Sequence, residues 1–131
     1  MSQDDVEMIR SLYEPLNRGD WERFFRDVHP DVEFTAQRGP TAGTVRGHEA
    51  VQKRVQDLLA PFAARTFEPE KFFDGGDQVV VFVRLRSRPQ GSSAEMEVRN
   101  GHLWTIREGA IRSMKTFPVR EEALEAAGLQ D

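Results

Sequence analysis

Side chains alternate across a strand, and between Glu95 and Arg107 one face carries Met96, Val98, Asn100, His102, Trp104 and Ile106. The other carries Glu95, Glu97, Arg99, Gly101, Leu103, Thr105 and Arg107. The first face is apolar apart from Asn100 and His102, which is the pattern of a strand facing a pocket. A histidine beside a tryptophan on such a face is partly desolvated. Burial favours its neutral form, in which one ring nitrogen donates and the other accepts. That suits proton transfer, and it makes His102 the candidate catalytic residue. The alternative is a structural histidine bonded to a neighbouring side chain.

A second candidate lies one strand earlier. In the run from Val79 to Leu85, Phe82 can point into the pocket while Val79, Val81, Val83 and Leu85 point away. Arg84 then shares the face of Phe82. A guanidinium there binds a ligand carboxylate or phenolate in bidentate fashion, snorkels to the rim, or pairs with Glu33 or Glu97. The cost of an unpaired buried charge favours the ion pair.

Other chemistries are excluded by composition and spacing. The 131 residues contain no cysteine, so disulfides, thiolate catalysis and Cys-type zinc sites are absent. His29, His48 and His102 are separated by 19 and 54 residues, which is not metal-ligand spacing, and no metal or cofactor is expected. The segment Gly39 to Gly47 is followed by no Lys-Ser or Lys-Thr pair, so it reads as a pocket-rim loop rather than a phosphate loop. The longest apolar run, Val79 to Val83, is far short of the ~18 residues of a membrane span. Met1 to Val6 is polar and acidic, unlike a secretory signal, so the expected location is cytoplasmic.

The elements that position these residues follow from apolar spacing. Ile9, Leu12, Tyr13 and Leu16 form a helical stripe over Asp4–Arg18, with a kink expected at Pro15. Asp20 caps a short helix over Trp21–Val28 with Trp21, Phe24, Phe25 and Val28 inward. Val32, Phe34 and Ala36 alternate as a strand. A third helix runs from His48 to about Phe62 on the stripe Val51, Val55, Leu58, Leu59 and Phe62. Ala64–Phe73 is a strand interrupted by Pro69. Gln78–Arg88, Glu95–Arg107 and Ala110–Pro118 form an antiparallel meander, with Glu108-Gly109 as a tight turn. Val119–Ala127 closes the chain as a helix stopped by Gly128. The class is α+β: a curved antiparallel sheet with helices on one face, in a single domain over residues 1–131.

Five segments, in this order, resemble the nuclear transport factor 2-like superfamily and, within it, the SnoaL-like polyketide cyclase group. They are Leu16-Asn17-Arg18-Gly19-Asp20-Trp21, His29-Pro30-Asp31-Val32-Glu33-Phe34, Val45-Arg46-Gly47-His48-Glu49-Ala50-Val51, His102 to Ile111, and Glu122 to Leu129. The resemblance implies a cone-shaped barrel, its curved antiparallel sheet wrapped around the N-terminal helices to enclose one mostly apolar pocket. By hairpin counting, His102 sits where the related ketosteroid isomerases place a protonated aspartate that donates to an oxyanion. Other positions depart from the relatives. Ala36 stands at the isomerase base, and Leu12 at the oxyanion tyrosine, with Tyr13 beside it. Thr116-Phe117-Pro118-Val119 carries no carboxylate where the cyclases use an acid.

The expected pocket therefore has His102 as its reactive group. Tyr13, Trp21, Phe25, Phe34, Phe82, Arg84, Asn100, Trp104 and Met114 are its ligand-binding residues. The expected partner is a small, mostly apolar cyclic or aromatic ligand, with isomerase- or cyclase-type acid/base chemistry at His102. The alternative is a ligand-binding or structural homodimer without turnover. The row Val79, Val81, Val83 and Leu85, extended by Leu103 and Ile111, is the expected dimer face.

The net charge is −4, and arginines alternate with acids, as in Arg120-Glu121-Glu122. Phosphate backbones need a contiguous basic track. Fluorescence anisotropy with a labelled DNA or RNA duplex at physiological salt is expected to show no sub-micromolar binding; tight, salt-steep binding would contradict this.

Overall fold

A computed structural model describes residues 2–36 and 42–130. The N-terminal helical stripe is split into α1 (Ser2–Arg10) and α2 (Tyr13–Arg18), with the break at Ser11 and Leu12. Pro15 lacks an N–H, and its ring excludes a helical carbonyl four residues earlier, that of Ser11. The chain passes this point with the Leu12 N–H bonded to Ile9 O at 3.0 Å, a tighter turn than the α-helix. Ile9, Leu12, Tyr13 and Leu16 are all buried, as their spacing predicts.

Asp20 caps α3 (Trp21–Phe24) by accepting from the Arg23 N–H at 3.2 Å. That helix is shorter than expected, because Val28 opens β1 (Val28–Ala36) instead. β2 (Gly43–Arg46) pairs antiparallel with β1, so part of the expected rim loop is a strand; Gln37 to Thr41 lie outside the described residues. α4 (His48–Leu59) stops short of Phe62, since Pro61 has no N–H to continue the ladder.

The remaining strands are β3 (Phe62–Asp74), β4 (Gln78–Pro89), β5 (Met96–Arg107) and β6 (Ala110–Phe117). The sheet order is β2-β1-β6-β5-β4-β3. All neighbours are antiparallel except β1 and β6, which are parallel. Pro69 sits at a register shift in β3, an edge strand, where a missing N–H is tolerated. Glu108 and Gly109 both take positive φ, 53° and 76°, as a tight β5–β6 turn requires. The α+β cone expected from the sequence is what forms; its sheet is curved but open, with β2 and β3 as edges. No helix among the described residues is long and apolar enough to cross a membrane.

The two faces of β4 are opposite to the sequence expectation. Val79, Val81 and Val83 have 0% exposure and join the core beneath α1, α2 and α4. Phe82 points outward, into a separate cluster with Val80, Leu103, Phe117, Ala123 and Leu124. Six apolar residues in seven leave no alternation to read. Pairing sets the parity instead: Val81 lies opposite His102, Val79 opposite Trp104, and Phe82 opposite Gly101. The aliphatic row is therefore covered by the chain's own helices and cannot be a dimer face. Leu103 and Ile111, expected to extend it, lie in the outer and inner clusters respectively.

α5 (Arg120–Ala127) covers the outer face, so helices pack on both sides of the sheet rather than one. It can sit directly on β5 because Gly101 has no side chain. A Cβ at Gly101 would lie 2.8 Å from Ala123 Cβ and 3.2 Å from Arg120 O. Gly101→Ala is expected to destabilise by about 1–3 kcal/mol through overpacking. Urea unfolding checks this; an unchanged midpoint would show that α5 is not held by this contact.

Candidate functional site

Between the helices and the inner face of the sheet lies a cavity of about 250 Å³. Its walls are mostly apolar. Leu16, Phe24 and Phe25 come from the first helices, Val51, Val55 and Leu59 from α4, and Phe62 and Phe67 from β3. The floor is β5 and β6, where Asn100, His102 and Trp104 face Met114 and Thr116. Register explains this grouping: His102 lies opposite Thr116 and Trp104 opposite Met114.

His102 is buried, with 2% exposure. Its Nδ1 lies 2.8 Å from the Tyr13 hydroxyl, and the Trp104 indole N–H reaches the same hydroxyl at 3.1 Å. The direction of this chain follows from donor and acceptor inventory. The indole N–H can only donate, so Tyr13 Oη accepts there. Burial pushes the Tyr13 hydroxyl well above its ordinary titration range, against a smaller opposing effect of the bond from Trp104, so the hydroxyl keeps its proton. Among the described residues its one acceptor is His102 Nδ1, which assigns the proton to that bond. Burial lowers the His102 pKa from 6.5 to about 4, so the ring is neutral near pH 7 and carries its hydrogen on Nε2. With Nδ1 engaged by Tyr13, Nε2–H is the donor left for a cavity occupant.

Besides Thr116, Asn100 is a further polar residue of the floor. Its Oδ1 is buried and has no hydrogen-bond partner among the described residues. Leaving such an acceptor unpaired costs roughly 1–3 kcal/mol. The one carboxylate residue along the lining, Glu33, is paired with Arg46, and its side chain is 40% exposed.

Six of the residues singled out from the sequence line this cavity: Phe25, Phe34, Asn100, His102, Trp104 and Met114. Tyr13 does not line it but stands behind His102, positioning the ring. Trp21 also lies off the cavity, packing edge-on against Phe24 beside a separate surface groove that includes His48 and Gln52. Phe82 and Arg84 are on the outer face. Arg84 pairs with Glu68, Nη2 to Oε1 at 2.7 Å, and lies 3.7 Å from both Glu70 and Glu97. It is a surface ion pair rather than a ligand contact. Met96 and Val98 run past the cavity into solvent, at 47% and 43% exposure.

Thr116 was not singled out by the sequence. Counting back from the Glu108-Gly109 turn sets Lys115 opposite His102; a register shift between Thr105 and Ile106 moves Thr116 there instead. Among the described residues no group of three or more His, Asp or Glu is placed to hold a metal ion. His29 Nδ1 accepts from the Asp31 N–H at 3.0 Å, and His48 Nε2 contacts the Val28 and His29 carbonyls at 2.9 and 3.2 Å.

Comparison with known proteins agrees with this fold. The SnoaL-like domain family matches residues 9–114. The chain belongs to that family. No curated protein matches the sequence significantly. Among solved structures, TerC co-crystallised with polyporic acid superposes with a TM-score of 0.78 at 24% identity, covering 94% of this chain and 97% of that one. A protein of ketosteroid isomerase-like fold from Catenulispora acidiphila, in complex with trimethylamine, gives 0.74 at 15% identity over 95% and 94%. A putative SnoaL-like polyketide cyclase from Jannaschia gives 0.72 at 21% identity over 88% and 85%. These similarities establish the nuclear transport factor 2-like fold of this SnoaL-like domain.

Tyr13→Phe would leave the Trp104 N–H and His102 Nδ1 both unpaired, and is expected to lower stability by about 1–3 kcal/mol in urea unfolding. The pH dependence has a definite sign. The unfolded chain binds the His102 proton near 6.5 and the folded chain only near 4. Between these values the unfolded state holds more protons, so stability is full above pH 6.5 and falls as pH falls towards 4. The loss attributable to His102 is roughly 3 kcal/mol. His102→Gln should remove that part of the acid sensitivity; identical pH profiles for the two proteins would contradict a buried neutral imidazole.

Proposed function

We propose that the protein binds a small, mostly apolar cyclic or aromatic molecule in this cavity, with an acceptor oxygen of the ligand against the Nε2–H of His102. The observation that carries this reading is the Trp104–Tyr13–His102 chain of bonds, which fixes one hydrogen-bond donor at the floor of an apolar cavity. A cavity of about 150 Å³ lined by apolar side chains accepts benzene. One of about 250 Å³ has room for a substituted ring. Relatives of the same fold crystallised with polyporic acid and with trimethylamine support a small-molecule role.

The same contact would polarise a carbonyl and stabilise negative charge developing on its oxygen. That is half of what an isomerase- or cyclase-type reaction needs. The other half is a base. Nε2 already carries a hydrogen, Nδ1 is held by Tyr13, and Glu33 is paired with Arg46. Ligand binding with a polarising donor is therefore the reading that the geometry supports best, and His102 acts in it as a donor rather than as a proton acceptor.

Acetophenone and ethylbenzene test this, because they share a shape and differ by the carbonyl oxygen. Acetophenone is expected to raise the melting temperature of the wild type and to bind about tenfold tighter than ethylbenzene, the worth of one net hydrogen bond. His102→Leu should erase that preference while circular dichroism shows the fold retained. Failure of both compounds to bind the wild type would overturn the cavity as a ligand site; equal binding of the two would overturn the role of His102.

A further inference from the structure

His102 supplies a donor to the cavity, yet the floor holds a second, opposite requirement. Asn100 stands two residues before His102 on β5, so both side chains emerge on the same face. Register confirms it, since Asn100 lies opposite Val83 and His102 opposite Val81, and both valines are buried on the inner side. Asn100 Oδ1 has lost its water and gained no partner among the described residues. An amide oxygen in that state needs an N–H or O–H. The surrounding Leu85, Phe67 and Met114 carry no donor, and Thr116, the other hydroxyl-bearing residue of the floor, makes no bond to it.

We propose that Asn100 and His102 form a two-point floor that selects cyclic ligands carrying an acceptor oxygen at one end and an O–H or N–H donor at the other, matched to positions about 7 Å apart along a strand. The acceptor, a ketone or aldehyde oxygen, takes the Nε2–H of His102. The donor, a phenolic or alicyclic hydroxyl or an amine, gives its hydrogen to Asn100 Oδ1. Hydroxylated ring ketones meet this description; hydrocarbons and ring ketones without a donor leave Asn100 unpaired. The selectivity follows from asymmetry: a ligand lacking the hydroxyl keeps the buried acceptor unsatisfied, so it forgoes the bond and adds no new one. This inference rests on the cavity being the ligand site.

Calorimetric titration of the full chain with 4-hydroxyacetophenone and acetophenone separates the two ideas. The hydroxylated compound is expected to bind the wild type about tenfold tighter than acetophenone, the worth of one net hydrogen bond. Asn100→Leu, which replaces the unpaired acceptor by an apolar group of similar size, should abolish that ratio and leave acetophenone binding in place. The wild-type ratio decides the matter even if the variant does not fold. Binding of both compounds with equal affinity would overturn the two-point floor while leaving the His102 reading intact. A tenfold preference that survives in Asn100→Leu would overturn the assignment of Asn100. Absence of binding by either compound would overturn both this inference and the ligand site beneath it.

Discussion

The hydrogen-bonded set of Tyr13, His102 and Trp104 ties the helical layer to the sheet. Tyr13 is the first residue of α2, and its two partners lie on β5, 89 and 91 residues later in the chain. All three side chains are buried, so none can exchange these bonds for water. Each polar atom in the set answers another: the indole has one donor, the hydroxyl accepts it and passes on its own hydrogen, and Nδ1 receives it. The position of α2 over the sheet and the orientation of the imidazole are thus set by one arrangement. The cavity exists because the helices are held at that distance from β5 and β6, with Leu16 and Phe24 as walls rather than as filler.

The sheet has to serve two layers at once. Its inner face builds the cavity floor and the main core through Val79, Val81, Val83, Trp104 and Ile111. Its outer face receives α5 on Val80, Phe82, Leu103 and Phe117. A strand covered on both faces reads as a near-continuous apolar run, which is what Val79 to Val83 is. Beyond α5 the outer face becomes a lattice of ion pairs, with Arg84 and Arg86 among Glu68, Glu95 and Glu97. Exposed pairs of this kind contribute little to stability. They do keep a broad outer surface polar, and they account for Arg84 without any ligand.

The chemistry available in the cavity is set more by what is neutral than by what is charged. A desolvated imidazole with one nitrogen engaged by a tyrosine hydroxyl presents a fixed N–H, and proton exchange with an occupant would first require that bond to break. This differs from the proton-shuttle role that the residue type alone suggests. Ala36 lies opposite Thr116 across the parallel β1–β6 pair, and its methyl group accepts no proton.

The sequence by itself determined the class of fold, the order of elements apart from β2, and the β5 part of the floor. Period-two alternation placed Asn100, His102 and Trp104 on one face, since a single strand's parity is local. Helical stripes likewise marked Ile9, Leu12, Tyr13 and Leu16 as core. What it left undetermined depended on partners distant in the chain. The run from Val79 to Leu85 has no internal alternation, so only its register with β5 decided that Phe82 and Arg84 face outward. The shift between Thr105 and Ile106 brought Thr116 rather than Lys115 beside His102. The nitrogen that His102 leaves open to the cavity depends on a tyrosine 89 residues away, because the tautomer of an imidazole is set by what its other nitrogen touches.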